Sequence, residues 1–121
     1  ELDPVKPFNN YGLSKLGGEC AVKMYKNSLI LRLTMTEKPF AYKEAYSNLE
    51  TNLMFHEELV KILPRIIKLK GTINIGGKSQ SVYSFAKYHN NKVKKIKMNE
   101  KTKLPPKQTM NISKLKRLLS K

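Results

Sequence analysis

The sequence predicts an α/β fold with a parallel sheet, and two successions of helix and strand carry this prediction. Apolar residues recur near helical spacing from Tyr11 to about Tyr25, and the short, mostly apolar run from Ser28 to Thr34 follows almost at once. Helical spacing returns over residues 53–69, and a short strand is expected over 72–75. The apolar run over residues 28–34 fits a strand that is buried on both faces, as in a parallel sheet. A helix that leads tightly into such a strand is half of a βαβ unit.

Local signals place the other elements. Asn9 or Asn10 can cap the first helix, and Pro64 is expected to kink or restart the second. Residues 35–52 are interpreted as mostly loop and, because they are rich in aromatic residues, as a substrate-lining segment. The remaining predictions are a proline-rich loop over 1–9, a helix over 79–88 capped by Ser79 or Ser81, a half-exposed strand over 93–98, and a closing helix capped by Ser113.

Length and composition describe one small domain. The chain has 121 residues, of which 40% are hydrophobic and 27% charged, as in globular proteins. Its longest apolar run, Leu29 to Leu33, is interrupted by Arg32, so no segment is expected to cross a membrane. The lack of a signal-peptide pattern and the single cysteine, Cys20, predict a cytoplasmic protein without an internal disulfide.

A net charge of +15 raises the question of nucleic-acid binding. Lysines concentrate after residue 91, and such a segment can bind a polyanion. However, nearly all of the 24 basic residues are lysines, whereas arginine makes most specific phosphate and base contacts. We therefore interpret the lysines as a solvated face whose positive potential attracts a diphosphate-bearing substrate, and nucleic acid is not the expected partner.

The stretch from Asn10 to Glu19 contains the chemically most suggestive pair. Tyr11 and Lys15 are four residues apart and therefore lie on one face of the predicted helix. An ammonium beside a phenol lowers the tyrosine pKa from its reference of about 10, so that the side chain can exchange a proton with a substrate oxygen. The alternative is that both are ordinary surface residues.

Three smaller motifs carry weaker signals. His56-Glu57-Glu58 has no second histidine three or four residues away, so a solvated helix face is expected there and not a metal site. Gly76-Gly77 follows a strand, as phosphate-binding glycines do, but it lacks the G-x-G-x-x-G pattern. Cys20 falls within the helical pattern and is expected to be a small buried side chain.

Four stretches resemble one enzyme family. ELDPVKPFNNYGLSKLGGE, at residues 1–19, resembles the active-site helix of extended short-chain dehydrogenase/reductases that act on nucleotide sugars, most closely the dTDP-4-dehydrorhamnose reductase group. That group carries Asn-x-Tyr-Gly-x-Ser/Thr-Lys-Leu-x-Gly-Glu, followed by a strand that ends in an arginine motif. The other three are the strand LILR at 29–32, the strand and glycine turn GTINIGG at 71–77, and the proline turn and helix LPPKQTMNISKLKRLL at 104–119.

The resemblance implies roles for individual residues. Tyr11 would donate a proton to the C4 carbonyl of a keto-sugar, and Lys15 would assist it and hydrogen-bond the nicotinamide ribose. Thr34 would lie near the cofactor and Met35 near the sugar, since ligands of open α/β sheets bind beyond the carboxyl ends of the strands. The cofactor would be NADPH or NADH, and the reaction would be the reduction of a nucleotide-linked 4-keto-6-deoxy sugar.

The same resemblance implies an incomplete fold. The family's glycine-rich cofactor fingerprint and catalytic Ser/Thr precede the tyrosine, and these 121 residues contain neither, so a C-terminal fragment is expected, inactive alone. Residues 1–35 would end a Rossmann-type parallel-sheet domain. Residues 36–121 would form a small α+β substrate lobe, with one strand near 72–75 returning to the sheet.

Two enzymatic and two non-enzymatic alternatives remain open. A nucleotide-sugar epimerase or dehydratase of the same superfamily shares the tyrosine and lysine, and differs in the half that precedes them. A non-catalytic relative, such as the regulatory subunit of methionine adenosyltransferase, keeps the fold as a binding partner. A basic nucleic-acid-binding module is the last alternative. Within the enzyme interpretation, a homodimer through the active-site helix is the expected assembly.

Overall fold

A computed structural model describes residues 1 and 5–121, and in them the chain forms four α-helices, one 3-10 helix (Glu100–Thr102) and nine short strands. The helices are α1 (Asn10–Lys23), α2 (His56–Ile66), α3 (Val82–His89) and α4 (Ser113–Leu119). The strands are β1 (Leu29–Leu33), β2 (Met35–Thr36), β3 (Glu44–Tyr46), β4 (Glu50–Thr51), β5 (Met54–Phe55), β6 (Gly71–Ile75), β7 (Gln80–Ser81), β8 (Lys94–Ile96) and β9 (Lys107–Gln108). Part of the loop predicted over 1–9 lies outside the described residues.

The predicted parallel sheet is present between β1 and β6. Their register runs from Leu29 opposite Gly71 to Leu33 opposite Ile75. Gly71 has φ +91°, a left-handed conformation that glycine adopts without strain, and it turns the chain from the end of α2 into β6. The α/β fold class is therefore confirmed.

Two apolar clusters stabilise the chain. The first, here called the sheet core, joins β5, β6, α2 and α4 through Met54, Ile66, Ile73, Ile75 and Leu115. The second, here called the lobe core, joins residues 40–55 to α3 and the start of β8 through Phe40, Ala45, Leu53, Phe55, Phe85, Ala86 and Val93. Consecutive residues of β5 point to opposite faces, so Met54 enters the sheet core and Phe55 the lobe core. The domain boundary expected after residue 35 stays a prediction.

Short strand pairs organise the lobe. β2 pairs with β5 and β3 with β8, both in parallel. β4 lies between β7 and β9, so that Thr51 faces Gln80 on one side and Gln108 on the other. Register partners place their side chains on the same face of a sheet, and these contacts bring residues far apart in sequence next to the end of β1.

Several local predictions need correction. The segment 35–52 contains three short strands, and α2 begins only at His56 because residues 54–55 pair with β2. Pro64 lies in the last turn of α2, and the helix continues past it to Ile66. Ser113 is the first residue of α4 and not its cap, since its backbone N–H donates to the side chain of Asn111.

Helix α1 is the least buried helix. None of its residues is buried, and Cys20, expected to be buried, is exposed. Both core clusters draw their side chains from residues 29–119, so α1 contributes to neither of them. Across the described part of the chain, no helix combines the length and the apolar character that a membrane span requires.

Candidate functional site

Tyr11 and Lys15 lie together at the exposed start of α1. Asn9 caps the helix, as one of two candidates predicted, with its Oδ1 accepting from the Gly12 N–H at 2.8 Å. The cap fixes the first turn, from which the Tyr11 side chain projects with 70% of its surface exposed. The Lys15 Nζ lies over the Tyr11 ring, 5.3 Å from its centroid, in a cation–π contact.

A cavity of about 470 Å³, here called the α1 cavity, adjoins this pair. Its walls are the loop Val5–Phe8, the Tyr11–Lys15 face of α1, and Leu104 and Gln108 from the distant C-terminal segment. Lys15 carries three N–H donors, and no described residue accepts a hydrogen bond from them. The arrangement can therefore offer a phenol and an ammonium together to a bound molecule.

An ion pair anchors α1 to β1. The Arg32 guanidinium donates from Nε to Glu19 Oε1 at 2.7 Å and from Nη2 to Oε2 at 2.8 Å, a bidentate geometry. Hydrogen bonding from Arg32 lowers the pKa of the Glu19 carboxyl below its ordinary value of 4.5, and Lys23 adds a weaker charge contact at 3.7 Å. Because Arg32 lies next to the carboxyl end of β1, this pair fixes α1 relative to Thr34 and Met35.

Thr34 and Met35 line a different cavity from Tyr11 and Lys15. Their cavity, here called the strand-end cavity, has a volume of about 350 Å³ and lies beyond the carboxyl end of β1. Gln108 lines both this cavity and the α1 cavity, so the two adjoin. The structure thus groups the four predicted site residues into two neighbouring pairs.

A third cavity continues from the second. It has a volume of about 830 Å³ and is lined by three exposed lysines, Lys43, Lys92 and Lys94, and by one exposed acidic residue, Glu44, and we call it the lysine cavity. It shares Tyr42 and Tyr46, among others, with the strand-end cavity. Lysines beside aromatic rings suit an anionic ligand that also has a flat face to stack.

The glycine pair at 76–77 and the histidine motif at 56–58 do not form binding sites among the described residues. At Gly76 an added Cβ would lie 2.7 Å from the Asn52 oxygen, and at Gly77 it would lie 2.6 Å from the Leu53 oxygen. The glycine turn is thus filled by the chain's own backbone carbonyls, which repel a phosphate. His56 is exposed, and no group of three or more potential metal ligands occurs among the residues that the structure describes.

The sequence reasoning missed the residues that connect these cavities. Thr51 and Gln108 are 57 positions apart and meet only because β4 and β9 pair in parallel. Lys43 directly precedes β3, Lys92 lies just before β8 and Lys94 begins it, and the pairing of these two strands is equally long-range. The Glu19–Arg32 contact did have a signal, namely a lone arginine within an apolar strand and a glutamate in the preceding helix.

Comparison with known proteins relates the fold of this chain to solved structures of one group of enzymes. No family model and no curated protein matches the sequence. Among solved structures, the chain is similar to a hypothetical dTDP-4-dehydrorhamnose reductase from Sulfolobus tokodaii, with a TM-score of 0.81 and 22% identity over 99% of this chain and 52% of that one. It is also similar to a dTDP-4-dehydrorhamnose reductase from Bacillus anthracis in complex with NADP, with a TM-score of 0.77 and 20% identity over 97% and 51%.

These similarities concern the fold. The chain spans about half the length of each of the two structures, and nearly all of it superposes on them. The resemblance that four sequence stretches indicated therefore holds in three dimensions. The chain has the fold of the corresponding part of dTDP-4-dehydrorhamnose reductases, which confirms the predicted Rossmann-type α/β class.

Proposed function

We propose that the full-length protein carrying this chain reduces a nucleotide-linked 4-keto-6-deoxy sugar with NADPH or NADH, as a dTDP-4-dehydrorhamnose reductase does. The observation that carries the proposal is the Tyr11–Lys15 pair. The pair lies exposed on a capped helix beside a cavity, within a fold shared with those reductases. Tyr11 and Lys15 are the proposed catalytic residues.

Tyr11 donates the proton that the reduction requires. Its hydroxyl transfers a proton to the C4 oxygen of the sugar as negative charge develops there. Lys15 keeps a positive charge beside the ring and holds the donor in place. A positioned donor is worth about 10² to 10⁴ in rate.

The described residues fit one end of the cofactor. The N–H donors of Lys15 suit the hydroxyls of a nicotinamide ribose, and we propose that Thr34, beyond the end of β1, lies near the neighbouring ring. When bound, the nicotinamide supplies the hydride. Gly76-Gly77 offers the cofactor phosphates no cradle, because backbone carbonyl oxygens of residues 52 and 53 lie against both glycines. We therefore expect the isolated chain to bind NAD(P)H weakly and to be inactive.

The order of the cavities suits a nucleotide-linked sugar. The α1 cavity, the strand-end cavity and the lysine cavity adjoin in that order, which is the order of reacting carbon, sugar and diphosphate. Met35 contacts the sugar in this arrangement. Lys43, Lys92 and Lys94 are charged to attract the diphosphate.

The homodimer through α1 remains part of the proposal. Leu13 and Met24 lie on one side of this helix, three turns apart, and expose 57% and 83% of their surfaces. A second copy that covers them would add apolar contact area without blocking the Glu19–Arg32 pair.

Net cofactor oxidation tests the proposal. Full-length protein is mixed with NADPH or NADH and dTDP-4-dehydrorhamnose, and absorbance at about 340 nm is followed. We expect stoichiometric cofactor loss with formation of the 4-hydroxy sugar. An epimerase or dehydratase would convert nucleotide sugars without net cofactor loss, and a non-catalytic relative would convert none. Either result would contradict the reductase assignment.

A further inference from the structure

We propose that Asn52 is a positioning residue for the α1 cavity. Its buried side chain fixes the C-terminal segment 104–110, and this segment forms part of the cavity wall around Tyr11 and Lys15. Asn52 is not among the residues that line the three cavities, so it acts through the backbone that it holds. The inference rests on the proposed function, because it concerns how the proposed substrate is bound.

Asn52 is a fully buried polar side chain. It directly follows β4, and only 1% of its surface is exposed. An amide is costly to bury unless its donor and its acceptor are both paired. Here Nδ2 donates to the Gly77 carbonyl at 3.0 Å, and Oδ1 accepts from the Met110 N–H at 2.6 Å. The side chain therefore joins the turn after β6 to the segment after β9.

The two partners of Asn52 depend on it to different degrees. Gly77 has a second bond to the same residue, since its N–H donates to the Asn52 carbonyl at 3.0 Å. The neighbouring Gly76 is packed so closely that an added Cβ would lie 2.6 Å from the Asn52 Cβ. The glycine turn is thus held by backbone contacts as well, whereas Met110 is held by the side-chain oxygen. Loss of Oδ1 should therefore release the C-terminal segment before it releases the turn.

The segment that ends at Met110 lines the α1 cavity. Gln108, two residues before Met110, and Leu104 both line this cavity together with Tyr11 and Lys15. These two residues come from a part of the chain that is far from α1 in sequence. A displacement of the backbone at Met110 should therefore move a wall of the cavity.

Few other bonds fix this segment in place. β9 pairs with β4 over two residues only, and the Pro106 carbonyl accepts from the Glu50 N–H at 2.8 Å. A pairing this short opens readily because few bonds must break together. The Asn52–Met110 bond closes the pairing on the side of β9 that leads to α4. It therefore sets the position of the wall more than any single bond of the pairing does.

The proposed catalytic pair is held independently of Asn52. The Asn9 cap fixes the first turn of α1, and the Glu19–Arg32 ion pair fixes the helix to β1. Loosening the wall should therefore weaken substrate binding and leave the proton donor in place. A loss of contacts that are equally strong in the ground state and the transition state raises KM and leaves kcat unchanged.

Steady-state kinetics of two Asn52 variants of the full-length protein test this inference. Asn52→Leu removes both side-chain bonds, whereas Asn52→Asp keeps an oxygen that accepts from the Met110 N–H and loses the donation to Gly77. We expect Asn52→Leu to raise KM for dTDP-4-dehydrorhamnose about tenfold at nearly unchanged kcat, because the loosened segment must be ordered again on binding. Asn52→Asp should keep KM within about twofold of the natural value. Both variants should melt at a lower temperature, so KM and not stability carries the test.

Asn74 provides a matched control. It is a second buried asparagine, with 6% of its surface exposed, and its Nδ2 donates to the Asn111 carbonyl at 3.2 Å. Asn74→Leu also removes a side-chain bond to the C-terminal segment, but it leaves the Asn52–Met110 bond between that site and the cavity wall. It should lower the melting temperature and leave KM unchanged.

Hydrogen exchange gives a measurement that needs no activity. In Asn52→Leu, exchange of the Met110 amide should be at least about tenfold faster than in the natural protein, because its acceptor is gone. Asn52→Asp and Asn74→Leu should show much smaller changes at this amide. The rates are compared at a temperature at which all the variants are folded.

The possible results separate this inference from the reductase proposal. Unchanged exchange at Met110 in Asn52→Leu, or faster exchange with an unchanged KM, would contradict the positioning role and leave the reductase proposal standing. An equal rise of KM in Asn74→Leu or in Asn52→Asp would mean that general destabilisation causes the effect, and the inference would be wrong. If the natural protein does not reduce the sugar, the proposed function fails, and the role of Asn52 in substrate binding fails with it.

Discussion

Helices α1 and α3 differ in what they contribute. α1 has 14 residues and buries none of them, whereas α3 has 8 residues and buries Phe85 and Ala86 in the lobe core. α1 carries the proposed catalytic pair and is fixed to β1 by the Glu19–Arg32 ion pair. The main apolar core and the proposed chemistry thus lie in different regions, and substitutions in the two helices should affect different measurements.

The largest effect on stability is expected in α3. Phe85 is 5% exposed, and its ring centroid lies 5.0 Å from that of Phe55. Phe85→Ala should lower the free energy of unfolding by about 3–5 kcal/mol, because it removes apolar contacts and leaves a cavity. Tyr88→Ala, on the same helix at 86% exposure, should change it by less than about 0.5 kcal/mol. Denaturant titration measures both, and equal losses would contradict the assignment of stability to the lobe core.

Two glycines should respond to alanine with opposite signs. A Cβ at Gly76 would lie 2.6 Å from the Asn52 Cβ, so Gly76→Ala should destabilise the protein by about 1–3 kcal/mol through overpacking. Gly17, inside α1, has no atom within 4 Å of an added Cβ, and Gly17→Ala should stabilise by about 0.5–1 kcal/mol because alanine favours the helix. Thermal unfolding of the two variants gives the comparison. Destabilisation by Gly17→Ala would mean that another surface approaches α1 closely.

The Glu19–Arg32 pair joins α1 to β1 and should make part of the folding stability depend on pH. The pKa of Glu19 is lowered in the folded state, so its contribution is present above the ordinary value of 4.5 and is lost as pH falls through the lower folded value. Glu19→Gln should cost roughly 1–3 kcal/mol near neutral pH, because it leaves the guanidinium short of an acceptor.

A surface ion pair provides the control for the pH-dependent contribution of Glu19–Arg32 to the free energy of unfolding. Glu57 and Lys38 are 3.9 Å apart with side chains 64% and 57% exposed, so Glu57→Gln should cost at most about 0.5 kcal/mol. Unfolding is measured from pH 7 down to pH 3 for both variants and the natural protein. If Glu19→Gln loses stability on acidification as steeply as the natural protein, the Glu19–Arg32 pair is not the source of the pH dependence.

The local elements of the fold were predictable because their signals are local. Asn9 and Ser81 cap α1 and α3 as expected, and the apolar run of β1 correctly indicated a parallel sheet. Burial was less predictable where it depends on distant parts of the chain. Cys20 has helical spacing typical of a buried residue, yet nothing among the described residues packs over it.

The residues of the candidate site also differ in whether a local pattern predicts them. Tyr11 and Lys15 follow from a spacing of four residues, and Thr34 and Met35 from the end of a strand. Thr51 and Gln108 could not be predicted, because their side-by-side placement depends on a strand pairing that no short motif encodes. The roles of the first four residues remain proposals.

The most direct measurement of the central claim is the activity of Tyr11→Phe in the full-length protein. The substitution removes one exposed hydroxyl and keeps the ring under the Lys15 ammonium. We expect kcat for keto-sugar reduction to fall by about 10² to 10⁴, because the proton donor is lost. The NADPH dissociation constant and the melting temperature should stay nearly unchanged. Turnover at the natural rate would contradict the assignment of Tyr11 as the proton donor and with it the separation of chemistry from stability.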